Sequence, residues 1–383
     1  MRQRSKELSS VLIKPAGPDC NMACRYCFYL EKEALFPSVA PRRMTDRILT
    51  ETVRQVMRQG GSHVSFGWQG GEPTLMGVQF FRRVRELQKT YGRSGQVVGN
   101  GLQTNGLLID DEWCRVLAET PFLVGLSLDG PQHVHDHYRV GRGGAPTWQR
   151  VMETRSRLLD HGVEVNALTV VSDYSAHYPR EIYQFHKENG LTFMQFIPCV
   201  EPGPEGEVAP FSVTPEQYGE FLCQTFDCWM EDFRAGEPTT YIRWFESLFY
   251  TYVGLEPPEC TLLEECGNYV VIEHNGDVFS CDFFVEDQWR LGNVLEGELS
   301  AMLNSGRQTA FGRMKSQVPM ECRECRWLPH CRGGCTKERL HNPHGKTSYL
   351  CEAYKGFFAH ADVRMRELAT RWRHEQGHQS VTT

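Results

Sequence analysis

Three cysteines stand at C-x3-C-x2-C spacing: Cys20, Cys24 and Cys27. Three thiolates on one short loop can each bind one iron of a 4Fe–4S cluster, which leaves the fourth iron without a protein ligand. An open coordination position is what a reactive site needs, by the logic that separates catalytic from structural zinc. The competing reading is a zinc loop or thiols placed by chance, and three ligands alone fit zinc less well. Eight further cysteines follow the pattern Cys260-x5-Cys266-x14-Cys281, then Cys322-x2-Cys325-x5-Cys331-x3-Cys335, then Cys351. Eight thiols match two fully ligated 4Fe–4S clusters, and they also match two structural zinc sites. Cys114, Cys199, Cys223 and Cys228 stand apart and read as packing residues.

The rest of the composition says how to take those thiols. No apolar run approaches the ~18 residues of a membrane span, and the first residues lead into no signal-peptide-like apolar core. A soluble, cytoplasmic protein is therefore expected, and the cytosol keeps thiols reduced. Metal binding, catalysis and plain burial remain as uses for the 15 cysteines of the chain. The net charge of −7 is opposite to that of a nucleic-acid binder. With 40% hydrophobic and 23% charged residues among 383, wholesale disorder is excluded. Neither a nucleic acid nor a membrane is expected as a partner.

Other residues add chemistry. In Gly70-Gly71-Glu72-Pro73 the glycines admit close backbone approach to a ligand, and Glu72 offers a carboxylate to a cation. Alone, such a tetrapeptide is also a turn stiffened by proline. The Arg139 fork suits a carboxylate, or pairs on the surface with Asp136. His133, His135 and His137 alternate along what reads as a solvent-facing loop. Asn105 reads as a polar contact or a turn residue.

The cysteine loop, with aromatic Tyr26 before its third thiol, and the Gly70–Pro73 element resemble the radical S-adenosylmethionine enzymes. The resemblance implies a 4Fe–4S cluster on Cys20, Cys24 and Cys27, and S-adenosylmethionine as cosubstrate. It implies cofactor contacts from Tyr26, Gly71, Glu72, Ser127, Arg139 and Val200. The C-terminal thiols resemble the twin-cluster SPASM extension. That implies Cys260, Cys266, Cys281 and Cys335 on a nearer auxiliary 4Fe–4S cluster, and Cys322, Cys325, Cys331 and Cys351 on a farther one. Within this superfamily, several segments resemble anaerobic sulfatase-maturating enzymes: Cys281-Asp282-Phe283-Phe284-Val285, Arg290-Leu291-Gly292-Asn293, Cys331-Arg332-Gly333-Gly334-Cys335, Gln195-Phe196-Ile197-Pro198-Cys199, and Phe80. The likeness runs over about residues 8–362. It implies oxidation of a Cys or Ser in a sulfatase C/S-x-P/A-x-R motif to Cα-formylglycine, with Asp282 as the base. The implied partners are an unfolded or nascent sulfatase polypeptide and a low-potential electron donor such as flavodoxin or ferredoxin. Bottom-up, a cluster on four thiolates is net negative, and a negative neighbour makes a carboxylate a stronger base. Two other readings stand beside this one. One is a related enzyme that modifies or crosslinks a ribosomal peptide; the other is a zinc-stabilised scaffold.

These residues need elements to hold them. The pattern predicts strands near 11–13, 64–68, 97–104, 123–128, 163–171 and 192–197, with helices between them. Repeated βα steps favour a parallel sheet with ligands at the carboxyl ends of its strands. Six steps are too few for a closed eight-stranded barrel, so the expected fold is α/β: a partial (β/α)6 TIM-like barrel followed by a small Cys-rich iron–sulfur domain. The expected organisation is a barrel over 1–205, a helical linker over 206–256, the cluster domain over 257–362 and a polar, fraying tail over 363–383. Asn275-Gly276 predicts a hairpin with a type I′ turn. The aromatic run Tyr241, Trp244, Phe245, Phe249, Tyr250 reads as core.

Overall fold

The computed structural model describes residues 5–36, 41–120 and 122–379. Its strands, in chain order, are β1 (Ser10–Lys14), β2 (His63–Trp68), β3 (Val97–Thr104), β4 (Phe122–Ser127), β5 (Val165–Val171), β6 (Phe193–Pro198), β7 (Tyr241–Ile242), β8 (Val270–Glu273), β9 (Asp277–Phe279) and β10 (Arg290–Asn293). The main helices are α1 (Asp46–Gln59), α2 (Val78–Tyr91), α3 (Asp111–Glu119), α4 (Gln132–Tyr138), α5 (Trp148–Asp160), α6 (Pro179–Glu188), α7 (Pro215–Glu231) and α8 (Arg243–Val253). A long helix, Cys351–Gln379, follows near the C-terminus. The chain divides into two compact units, the first made of Met1–Leu128, His135–Asn166 and Gly267–Arg313, the second of Asp129–Val134, Ala167–Cys266 and Met314–Thr383. The class is mixed α/β with parallel pairing, as the alternating pattern predicts.

In the first unit the strands lie in the order β10-β9-β8-β1-β2-β3-β4. β1 pairs in parallel with β2, and β2–β3 and β3–β4 are parallel too. Strand β2 alternates exposed and buried positions, so Val64, Phe66 and Trp68 point inward. Each such large apolar side chain contributes about 1.5–3 kcal/mol by leaving water. Helix α1 buries Ile48, Leu49, Val53, Val56 and Met57 along one face. Thr45 caps it through Oγ1, which accepts from the Ile48 amide.

The 270–279 hairpin joins this sheet: β8 pairs in parallel with β1, opposing Lys14 to Glu273. Its turn differs from the expected type I′. Only Gly276 has positive φ (86°), and its amide donates to the Glu273 carbonyl. That is the three-residue loop in which a type I turn ends on a left-handed glycine.

The second unit holds most of β5 with β6 and β7, the last two parallel. Its core is aromatic: Phe245 stacks on Phe357 at 5.5 Å, and Phe226 meets both edge-on. The predicted aromatic run thus supplies core, although Tyr250 stays exposed. The stretch expected to fray after about residue 364 is helical to Gln379. Phe357, Phe358, Ala361, Met365 and Ala369 recur at helical spacing and are all buried, which is what carries the helix onward. No helix among the described residues is long and apolar enough to cross a membrane.

Candidate active site and thiol clusters

The cysteine loop leaves β1 and is pinned on two sides. The Ala23 and Arg25 amides donate to the carbonyls of Val140 and Tyr138, so the loop runs beside the segment that carries Arg139. On the other side, the amides of Gly71 and Glu72 donate to the carbonyls of Gly17 and Asp19, both at 2.8 Å. The approach is so close that a Cβ on Gly71 would lie 2.1 Å from the Asp19 carbonyl oxygen, which explains a glycine there. Cys20 Sγ accepts from the Met22 amide at 3.4 Å and from Asn105 Nδ2 at 3.7 Å. Tyr26 is buried; its ring meets Tyr138 edge-on, and the Arg139 guanidinium lies 5.5 Å from its centroid. Arg139 is itself only 7% exposed, which removes it from the surface. Asp136 Oδ1 accepts instead from the Thr147 and Trp148 amides at the start of α5.

Glu72 is buried and heavily hydrogen-bonded. Its Oε1 accepts from the Thr74 amide, Thr74 Oγ1 and Thr104 Oγ1, and Oε2 accepts from the Asn105 amide at 2.8 Å. Burial pushes its pKa up and these four donors oppose the rise. The Cys20 thiol is pushed up to about 12 by burial and by neighbouring Glu72, Cys24 and Cys27. Thiols bind metal as thiolates, so iron binding at this loop would displace their protons.

Asp282 follows β9 in the same unit, and the loop after β2 reaches it. Gln69 Nε2 donates to Asp282 Oδ2 at 3.1 Å, and Tyr269 Oη donates to Oδ1 at 3.2 Å. Cys281 Sγ lies 3.5 Å from the same Oδ1. Below the carboxylate, Lys14 is buried with Nζ 3.5 Å from the Asp282 carbonyl oxygen and 3.6 Å from the centre of the Tyr29 ring. Tyr29 donates its hydroxyl proton to Glu273, which is 0% exposed. Burial pushes the Lys14 pKa down, and Glu273, Asp282 and Cys281 oppose that.

In the second unit the other thiols fall into electrostatically coupled sets. Cys331 is pushed up to about 12 by burial, with Cys351 and Cys322 among the groups that raise it further. Burial likewise raises Cys351, and Cys322 and Cys325 add to the rise. Cys335 is pushed to about 12 by burial, by Glu338 and by Cys266. Cys260, Cys266 and Cys335 all act on one buried lysine, Lys315. Cys266 Sγ lies 3.7 Å from Thr336 Oγ1. All 15 cysteines are free thiols. Reduced cysteines that act electrostatically on one another, next to backbone and hydroxyl donors, suit iron–sulfur groups.

Known proteins agree with this chemistry. Residues 15–186 match the family described as the radical SAM superfamily, and residues 260–326 match an iron–sulfur cluster-binding domain. A serine-type anaerobic sulfatase-maturating enzyme of Bacteroides thetaiotaomicron is 40% identical over 94% of this chain and 91% of its own length. The chain belongs to the anaerobic sulfatase-maturating enzymes. A cysteine-type member from Clostridium perfringens is 36% identical, over 94% of this chain and 98% of its own. The solved structure titled native anSMEcpe with bound AdoMet and Cp18Cys peptide superposes with a TM-score of 0.88 at 35% identity, covering 95% of this chain and 99% of that one. As a family member, the chain is a radical S-adenosylmethionine enzyme with iron–sulfur clusters.

Among the residues singled out for this sulfatase-maturase, Ser127 ends β4 and is buried, and Val200 is buried in the aromatic core of the second unit. The histidines correct the sequence reading. His133–His137 lie on helix α4, not a loop, and His135 is 0% exposed with Nε2 3.1 Å from Thr147 Oγ1. A side chain of mixed polarity on so short a helix carries no usable period, so its inward face is invisible in sequence. Asn105 is the missed site residue: its amide reaches Glu72, and its side chain reaches Asn21 and Cys20. Its position just after β3, at a strand's carboxyl end, was the available signal. Lys14 gave a similar signal and reads in sequence only as the end of a strand.

Proposed function

We propose that this chain oxidises one Cys or Ser of a peptide carrying C/S-x-P/A-x-R to Cα-formylglycine, with an unfolded or nascent sulfatase as the natural substrate. The observation that carries this reading is the loop 69–72. Its Gln69 end holds the Asp282 carboxylate, and its Gly71–Glu72 end is zipped to the cysteine loop. One short segment therefore ties the base to the cofactor motif.

When bound on Cys20, Cys24 and Cys27, a 4Fe–4S cluster with S-adenosylmethionine supplies a 5′-deoxyadenosyl radical that takes one Cβ hydrogen atom, and auxiliary clusters supply an acceptor for the electron that remains. Asp282 takes the S–H or O–H proton of the target residue. Gln69 and Tyr269 each donate to one of its oxygens, so the carboxylate is oriented before substrate arrives. One hydrogen atom, one proton and one electron leave, and the product is an aldehyde or a thioaldehyde that water hydrolyses. Arg139 and Glu72 suit the carboxylate and amino ends of a methionyl group, with Tyr26, Gly71, Ser127 and Val200 as further contacts. The auxiliary sites are read as Cys260, Cys266, Cys281 and Cys335 for one cluster, and Cys322, Cys325, Cys331 and Cys351 for the other. The domain reading remains a barrel over 1–205, a linker over 206–256, the cluster domain over 257–362 and a tail over 363–383. The electron donor is a flavodoxin or ferredoxin, and the compartment is the cytoplasm, in keeping with 15 free thiols.

The test is anaerobic turnover of synthetic peptides carrying C-x-P-x-R or S-x-P-x-R, read by mass spectrometry. Formylglycine in either peptide is the expected product. Cofactor cleavage with neither peptide modified would point instead to another peptide-modifying chemistry.

A further inference from the structure

Lys315 sits in the last turn of the helix Gly306–Ser316 and is 0% exposed. Its Nζ donates to the carbonyl oxygens of Thr261 at 3.0 Å, of Leu263, and of Arg332 at 3.4 Å. Thr261 and Leu263 lie between Cys260 and Cys266, and Arg332 directly follows Cys331. One side chain thus ties together the loop that bears Cys260 and Cys266 and the loop that bears Cys331 and Cys335. An ammonium has three N–H donors and a neutral amine only two, so a constellation of three acceptors selects the charged form. A buried ammonium costs several kcal/mol unless an anion balances it. Backbone carbonyls carry no net charge. Burial pushes the Lys315 pKa down, and Cys266, Cys260, Cys335 and Cys331 oppose that, with no carboxylate among them. Thiolates that hold iron are the anions such a site calls for.

We propose that Lys315 is the fixed countercharge of the cluster held by Cys260, Cys266 and Cys335, and that it sets the reduction potential at which that cluster accepts the substrate's second electron. This rests on the cluster reading given above. A positive charge in dry protein stabilises the reduced, more negative cluster. Removing it lowers the midpoint potential and weakens the acceptor. A loop tie alone needs no charge, since neutral donors would serve the same carbonyls.

The experiment is an anaerobic redox titration of the three-cluster holoenzyme, followed by electron paramagnetic resonance, with iron counted on the same samples. Lys315→Met is expected to keep about twelve irons and to shift the midpoint of one auxiliary cluster to lower potential, with the others unmoved. Lys315→Arg, which keeps the charge, is expected to restore the wild-type midpoint. Full iron content with an unmoved midpoint in K315M overturns the proposal. Should K315M lose that cluster, K315Q carries the test, because its amide still donates to the carbonyls without charge. A wild-type midpoint in K315Q overturns the proposal. Loss of the cluster from K315M and K315Q but not K315R supports it, and loss from all three assigns Lys315 to packing and overturns it. Wild-type protein holding only about four irons would instead sink the auxiliary-cluster reading, and the proposal with it.

Discussion

Two buried lysines separate the two regions that carry the chemistry. Lys14, in the first unit, faces Glu273 and Asp282, carboxylates that belong to the chain itself. Lys315, in the second, faces Cys260, Cys266, Cys335 and Cys331. Around Lys14 the countercharges come from the polypeptide. Tyr29 donates to one oxygen of the buried Glu273 carboxylate, whose other oxygen has no hydrogen-bond partner among the described residues. Around Lys315 the strongest neighbours are thiols, which become anions where they hold iron. Carboxylates of the chain serve one lysine, and sulfur ligands that iron would ionise serve the other.

The sharpest way to break that contrast is to remove the iron. Metal–thiolate sites contribute on the order of 10 kcal/mol to the folding of the segments that bear them. Anaerobic chelation is expected to strip protection from amides near 260–266 and 322–351 while those of β1–β4 keep theirs, as read by hydrogen exchange. Equal loss in β1–β4 would show that the first unit also depends on metal.

Next in size is the base. Asp282→Asn keeps the shape and one acceptor oxygen, so clusters and cofactor cleavage are expected to persist. Formylglycine formed per 5′-deoxyadenosine is expected to fall about a hundred- to ten-thousand-fold, the usual cost of losing a general base. Wild-type coupling in this variant would mean that the proton goes elsewhere.

The contrast also explains what could be read from sequence. Cys20, Cys24 and Cys27 share a loop, so their spacing alone states a ligand set. Strands such as 64–68 alternate locally and carry their own signal. Lys14 and Glu273 are separated by most of the chain and meet only because β8 pairs with β1, a non-local event. Asn105 looks like a turn residue until the Glu72 carboxylate is placed against its amide. Cys335 feels Cys266, and Cys331 feels Cys351, although the members of each pair are far apart along the chain. Spacing finds ligands; it does not sort them into sites or reveal their countercharges.

Lys14 offers the next test, because self-compensation implies a penalty when one partner goes. Lys14→Met removes the buried cation on which Glu273 acts, and a buried charge left uncompensated lowers stability. Denaturant unfolding of the variant is expected to show that loss, and adding Glu273→Gln is expected to recover part of it. No recovery would mean that Lys14 acts through packing against Tyr29 and Phe28 rather than through charge.

The smallest effect concerns Asp19, one residue before the first cysteine. Its carboxylate accepts from the Arg42 amide, from Arg42 Nη1 and from Arg43 Nη1, at 2.8–2.9 Å. Burial pushes its pKa up, but these hydrogen bonds hold it below the ordinary 3.8. A carboxylate whose pKa is depressed by folding contributes stability that is present above its unfolded pKa and is lost as pH falls through its folded one. Asp19→Asn is therefore expected to lower stability near neutral pH by about 1.5–3 kcal/mol, the range for hydrogen bonds to a charged group. The gap from wild type is expected to hold down to about pH 4 and to shrink below it, as the wild-type carboxylate takes up its proton. Denaturant midpoints measured across this window check the sign. Because Asp19, Arg42 and Arg43 complete one another without metal, the gap is expected to be the same in iron-free and iron-loaded protein. A gap present only in the loaded form would mean that the cysteine loop, and with it this corner of the first unit, also waits for iron.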